Sequence, residues 1–186
     1  MLEDYPKEVI LNDGTGVTLR PLQAGDEDLL FTMFNRFSED DRWFLNHETN
    51  DPEVFDTWVN NEDAGGVISI VAVLEGRIIA HAALIRKLYG SRSHIGKIWI
   101  SVDPSFREKR LGTWMLLELV NLAMTMGLEI LVMKLVKGRD SAVMRGVKNL
   151  DFFKEAVFKD YVRDRGGNPY DLVIMVKHLH RGFDDF

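Results

Sequence analysis

The chain has 186 residues, 46% hydrophobic and 28% charged, the profile of one soluble globular domain with a full core. Lys plus Arg number 23 and Asp plus Glu 29, giving a formal charge of −6, the opposite of the basic surplus carried by a sequence-independent nucleic-acid binder. There is no cysteine, which excludes disulfides, thiolate zinc sites and a cysteine nucleophile.

Residues 1–9 carry charges and no apolar leader run, and no stretch approaches the ~18–20 apolar residues of a membrane span, so a cytoplasmic protein without membrane contact is expected. After a loose lead-in, Val9–Leu11 and Val17–Leu19 flank Asn12-Asp13-Gly14, a turn signal that predicts a small hairpin. From Asp26 the spacing of Leu29, Leu30, Met33, Phe34 and Phe37 predicts a helix. Ser38 followed by Glu39, Asp40 and Asp41 reads as a capped helix start, and Asn50-Asp51-Pro52 opens another helix over 53–60. Val67–Leu74 and Ile78–Arg86 are apolar strands joined by a tight turn at Glu75-Gly76-Arg77. Later come a helix from Ser141 to near Leu150, strands at Phe158–Val162 and Leu172–Lys177, and a tail over 179–186. There is no repeat or linker, so a single domain is expected, with its core over about 17–178.

The stretch from Ile95 to Leu135 organises the rest. It predicts a strand (Lys97–Val102), a basic loop, a helix from Thr113 to about Met126 stopped by Gly127, and a strand from Ile130. Asp103-Pro104 ends the first strand, since proline cannot donate to a ladder. Arg107, Lys109 and Arg110 crowd the positive end of the helix dipole, where each cation is unfavourable by roughly 0.3–1 kcal/mol. An anion lying on the free backbone N–H groups reverses that sign. The loop therefore reads as a phosphate cradle; the alternative is a solvated basic turn.

Val102-Asp103-Pro104 followed by Arg107-Glu108-Lys109-Arg110-Leu111-Gly112-Thr113 resembles the acetyl-CoA motif of the GNAT acyltransferase superfamily, Gln/Arg-x-x-Gly-x-Gly/Ala between a strand and a helix. Arg107 matches the first position and Gly112 the last, while Arg110 stands where the family has its first glycine. Leu19-Arg20-Pro21-Leu22, Ile78-Ile79-Ala80-His81-Ala82 and Leu150-Asp151-Phe152 resemble further family segments, the last in place of Leu-Gly-Phe. Phe37–Arg42 is similar to the acetyltransferase domain of protein-lysine acetyltransferases that modify acyl-CoA synthetases. The resemblance implies a mixed, mostly antiparallel α/β sheet flanked by helices. It implies acetyl-CoA as co-substrate, direct attack by a primary amine in a ternary complex, and no metal. It maps Ile100, Ser101 and Val102 to pantetheine and thioester, with the Val102 N–H as oxyanion donor. It maps Arg107, Glu108, Lys109, Arg110, Leu111, Gly112 and Thr113 to the cradle, and Asp140 to a position where the family has asparagine.

Amine acetylation also needs a base, because a free lysine has a pKa of about 10.4, and a proton source for the leaving thiolate. The family's acid, a tyrosine four residues before the glycine of Leu-Gly-Phe, falls on Val147, which cannot act. Tyr161 is the tyrosine on a neighbouring strand, and His94, His81 and Glu75 are candidate bases. Set against that role, His94 reads first as a solvated strand-end residue and His81 first as a satisfied core or groove histidine. His178 and His180 alternate on one strand face without a third ligand, so no metal site is expected. Three functions fit. The first is an N-acetyltransferase acting on a protein lysine, a peptide N-terminus or a small amine, as monomer or homodimer. The second is a non-catalytic acyl-CoA-binding or sensory module on the same fold. The third, a nucleotide enzyme of another class, lacks both glycine-rich phosphate motifs.

Overall fold

The computed structural model describes residues 4–45, 55, 58–59 and 66–179. In chain order its elements are β1 (Lys7–Ile10), β2 (Gly16–Pro21), α1 (Glu27–Asn35), α2 (Glu39–Trp43), β3 (Val67–Leu74), β4 (Arg77–Arg86), β5 (Ile95–Val102), α3 (Leu111–Thr125), β6 (Ile130–Val136), α4 (Ser141–Lys148), β7 (Phe153–Arg163) and β8 (Pro169–His178). The strands form one eight-stranded sheet in the order β1-β2-β3-β4-β5-β6-β8-β7. β5 and β6, joined through α3, run parallel, and every other pairing is antiparallel. This is the mixed, mostly antiparallel sheet expected.

Local chemistry sets the turns. Glu75 (φ 50) and Gly76 (φ 75) both take positive φ, as the two-residue hairpin turn with right-handed strand twist demands. The Ser38 side chain caps α2 by accepting from the Asp41 N–H at 3.0 Å. Gly127 (φ 71) closes α3, and the Leu128 N–H returns to the Ala123 carbonyl at 3.0 Å.

Side-chain alternation along β5 divides the core into two layers. Ile98, Ile100 and Val102 pack with α3, which buries Leu111, Met115, Leu119 and Leu122. Trp99 packs on the opposite side with α1, which buries Leu30, Met33 and Phe34, and with Phe55 and Trp58. The predicted helix over 53–60 otherwise lies outside the described residues, as does His180.

Some expectations are corrected. The lead-in is not loose: Tyr5 Oη and Lys7 Nζ donate to Glu118 Oε2 at 2.9 and 2.8 Å, and Val9 and Leu11 are buried. α3 starts at Leu111, two positions before Thr113, because Arg110 itself serves as its N-cap. β7 starts at Phe153, not Phe158; its outer edge is uncovered, so its side chains show no burial alternation to read. Leu179 belongs to the core, not the tail, with its N–H on the Glu129 carbonyl at 2.8 Å.

One ion pair locks α1 to the end of β5. Asp103, 2% exposed, accepts from Arg36 Nε, and from the Ser105 N–H at 2.9 Å. The same guanidinium donates to the Ile78 carbonyl at 2.7 Å. Removing the carboxylate leaves a half-buried cation with one partner fewer. Asp103→Ala is expected to lower unfolding free energy by about 2–3 kcal/mol, read from urea denaturation, whereas an exposed pair would cost under about 1 kcal/mol.

Candidate active site

The site begins where two parallel strands part. β5 and β6 are paired from Ile95↔Ile130 to Ile98↔Met133 and no further, although both strands continue. On its other side β5 stays paired with β4 as far as Ala80↔Val102. The Asp103 N–H donates to the Ile79 carbonyl at 2.9 Å, so 79/103 is a hydrogen-bonded pair of this ladder. By the two-residue alternation of antiparallel ladders, 81/101 is another such pair, while the N–H and C=O groups of Ile100 and Val102 face away from β4. They face the gap left by β6. Two of the three residues assigned to the thioester thus present their backbone to the opening. Ser101 does not: its backbone faces His81, and its side chain lies in the layer of Trp99.

The loop after β5 is the one read from the sequence as a phosphate cradle. Glu108 (φ 62) and Arg110 (φ 66) both adopt the left-handed region, which turns successive N–H groups toward one side. The N–H groups of Thr113 and Trp114 both reach the Arg110 carbonyl at 3.1 Å, so Leu111 and Gly112 supply the end groups of α3. A Cβ on Gly112 would meet only Val102 Cγ2 at 3.6 Å, ordinary contact, so the protein itself leaves this side open. Left-handed backbone at Arg110 also explains the glycine of the resembled motif: the position needs φ > 0, and arginine tolerates it at a cost.

The expected crowd of cations is largely neutralised. Lys109 pairs with Asp13 at 2.9 Å and, with a bond from Thr15, holds that carboxyl at about 2. Arg107 turns away from the cradle: its Nε donates to the Val102 carbonyl at 3.2 Å, its guanidinium lies 5.3 Å from the Phe37 ring, and Nη2 donates to Asp41 at 2.9 Å. Among the described residues, Arg110 alone of the three has no ion pair and stays exposed.

Asp41 was read from the sequence as an acid in the first turn of a helix. Its second oxygen accepts from Arg139, in the loop after β6, while Arg107 lies in the loop after β5. One carboxylate on α2 therefore spans the ends of the two diverging strands. Burial pushes the Asp41 pKa up, but hydrogen bonds from Arg139 and Arg107 outweigh it and leave the group below the usual carboxylate range. Arg139 also lies over the Phe44 ring at 4.5 Å. The clamp extends to the β7–β8 hairpin, where Trp43 Nε1 donates to the Arg163 carbonyl at 2.7 Å and Arg165 pairs with Glu39. A cavity of about 530 Å³ lies here, lined by Asp40, Phe44, Arg139, Asp164, Arg165 and Tyr170. Partners separated by 66 to 126 positions leave no trace in local spacing.

Asp140 Oδ2 accepts from the Val136 N–H at 2.6 Å, which fixes the loop at the end of β6; its burial raises the carboxyl pKa. Of the candidate acids and bases, His81 lies level with the opening, with β5 between them. It is 1% exposed, faces Ser101 across the ladder, and is stacked on Trp58 at 5.4 Å with Trp99 edge-on. His94 sits before the opposite end of β5, roughly 25 Å from Val102 at about 3.3 Å per residue. Tyr161 is exposed on β7, which β8 separates from β6. Glu75 sits in the β3–β4 turn, paired only loosely with Arg77 at 3.9 Å. Val147 is buried in the core. Among the described residues, no group of His, Asp or Glu could hold a metal ion.

The family model for the acetyltransferase (GNAT) family matches residues 30–143. The chain belongs to that family and is by class an N-acetyltransferase. Similar solved structures include a ribosomal-protein-alanine N-acetyltransferase from Brucella melitensis, 22% identical over 87% of this chain and 99% of that one, TM-score 0.77. The GNAT domain of S. lividans PAT is 14% identical over 94% and 97%, TM-score 0.77. The ribosomal-protein-S18-alanine N-acetyltransferase from Escherichia coli is 16% identical over 91% and 98%, TM-score 0.70. At these identities the likeness is one of fold. No curated protein matches the sequence.

Two measurements check this geometry. Arg110→Gly removes a strained left-handed arginine and is expected to raise unfolding free energy by about 1 kcal/mol. The depressed Asp41 pKa means that its stabilisation is fully present above the unfolded carboxylate value of about 3.9 and is lost as pH falls through the lower folded value. Wild type is therefore expected to lose stability more steeply than Asp41→Asn in acid titrations below pH about 4; parallel curves would remove the clamp.

Proposed function

We propose that the protein transfers an acetyl group from acetyl-CoA to a primary amine by direct attack in a ternary complex. The single observation that carries this reading is the parting of β5 from β6 after Ile98↔Met133, immediately followed by the left-handed backbone of Glu108 and Arg110. An opening with unpaired peptide groups, next to a helix N-terminus with free N–H groups, suits a pantetheine arm ending in pyrophosphate.

The residues present fit acetyl-CoA, which supplies an activated acyl thioester when bound. The N–H groups of residues 108–112 are the candidate pyrophosphate donors, with the Arg110 side chain free to add a charge-assisted contact. The carbonyl and N–H of Ile100 are placed for the pantetheine amides. The Val102 N–H faces the opening and is the candidate donor to developing negative charge on the acyl oxygen. Thr113, Lys109 and Asp140 hold the surrounding loops. His81 is the candidate for moving the amine's proton, acting through groups that link it to the opening. Arg107 holds the Val102 carbonyl rather than the phosphate.

The acceptor enters on the side of α2 and the β7–β8 hairpin, where the cavity lies. It is a protein lysine, a peptide terminus or a small amine. A cytoplasmic location and action without nucleic acid remain parts of this reading, supported by composition. Among the described residues, no helix is long and apolar enough to cross a membrane.

A non-catalytic acyl-CoA module is the second reading, favoured by one observation: Val147 is buried where relatives keep their acid. Thiol release with any primary amine excludes it.

Calorimetric titration separates these cases. Acetyl-CoA is expected to bind in the micromolar range and to weaken as salt rises. Gly112→Ala is expected to fold with unchanged or slightly higher stability, since a Cβ there has room and alanine favours the helix. Gly112→Asp is expected to fold but lose acetyl-CoA binding, its carboxylate lying against the pyrophosphate. Normal binding by Gly112→Asp would refute the cradle.

A further inference from the structure

The cavity beside α2 has a charge arrangement that selects among amines, and the inference drawn from it rests on the acetyltransferase reading above. Its two guanidiniums are already committed. Arg139 is held by Asp41 and Arg165 by Glu39, both carboxylates supplied by α2. Two carboxylates lining the same cavity have no cation. Among the described residues, no ion pair reaches Asp40 or Asp164. Asp164 takes its hydrogen bonds from neutral groups: the Asn168 N–H at 2.8 Å, Asn168 Nδ2 at 2.9 Å and Tyr170 Oη at 3.4 Å. Those bonds, the Asn168 side chain first, hold its carboxyl below the usual range, so it is anionic at neutral pH. Phe44, edge-on to Tyr170 with ring centres 5.9 Å apart, gives the cavity an apolar wall.

Contacts already described run from the cavity wall to the end of β5. Arg139 lines it, Asp41 joins Arg139 to Arg107, and Arg107 holds the Val102 carbonyl at 3.2 Å. Its volume, about 530 Å³, is within the ordinary range of small-molecule pockets. An acceptor carrying a carboxylate would meet two uncompensated anions and no free cation. A single alkylamine would satisfy neither anion once its amine reached the thioester.

We propose that this cavity receives an acceptor with a second positive charge, in which one primary amine reaches the thioester while a second cation, across a short methylene chain, sits against Asp40 and Asp164. The methylenes lie along Phe44 and Tyr170. The same chemistry is offered by a free aliphatic diamine and by a lysine flanked by a basic residue in a peptide.

The test compares thiol release for cadaverine, n-pentylamine and 6-aminohexanoate, which share chain length and differ in the far group. A capped Lys-Arg dipeptide against Lys-Ala separates the peptide source from the free diamine. Cadaverine or Lys-Arg is expected to exceed its uncharged counterpart about tenfold in kcat/KM, and 6-aminohexanoate to be the poorest. Asp164→Asn keeps an oxygen for the Asn168 N–H, and Asp40 is exposed, so both Asp→Asn variants should fold. Each is expected to reduce that preference several-fold, mainly through KM, and high salt to do the same in wild type. A wild-type preference near one, or a preference unmoved in both variants, overturns the inference. Calorimetry of cadaverine against n-pentylamine, with CoA present, reads the cavity without chemistry. Equal or absent binding of both overturns the inference even where monoamines are acetylated. Failure of acetyl-CoA itself to bind strikes the acetyltransferase reading instead.

Discussion

A sheet that keeps two parallel strands paired for four residues and then releases them must supply other partners for the peptide groups left behind. Unpaired N–H and C=O groups buried from water are costly, so such an opening persists only where water or a ligand enters and the strand ends are braced. Here β4 braces β5 from the far side, as β8 braces β6, and the loops at the two strand ends are joined by one carboxylate, Asp41, held by Arg107 and Arg139. The short helix α2 is therefore more than a connection. It carries the acid that bridges the opening and lays Phe44 beneath Arg139.

Charge is arranged around this brace so that side chains and backbone do different work. Arg107 and Lys109 answer carboxylates from α2 and the β1–β2 turn, and what the loop leaves exposed is mainly peptide N–H and the Arg110 side chain. Backbone recognition depends on φ and on the absence of obstruction. This is why Arg110 can replace a glycine in the motif: its left-handed φ preserves the direction of the N–H groups while its side chain goes to solvent. At Gly112 the protein itself would accommodate a Cβ.

Val147 is in the core, His94 at the distant end of β5 and Tyr161 out on β7, while His81 lies level with the opening across β5. Trp58 stacks on its ring and Trp99 meets it edge-on. The same aromatic cluster joins α1 to the sheet.

The sequence alone determined the features that depend on neighbours in the chain. Strand alternation, the Asn-Asp-Gly and Glu-Gly turns, the Ser38 cap, the Gly127 stop and the strand–loop–helix cradle all follow from local sterics and hydrogen bonding over a few residues. The exposed start of β7 was illegible because an uncovered strand shows no burial period. Asp41, Arg139, Phe44 and Asp164 were illegible as a site for another reason. Their partners come from α2, two loops and a hairpin far apart in the chain, and each alone is an ordinary cap acid, surface cation, core ring or turn residue. Only the tertiary fold decides which charges meet and which stay uncompensated, because ion pairing depends on distance in space and the chain order of these elements does not encode it.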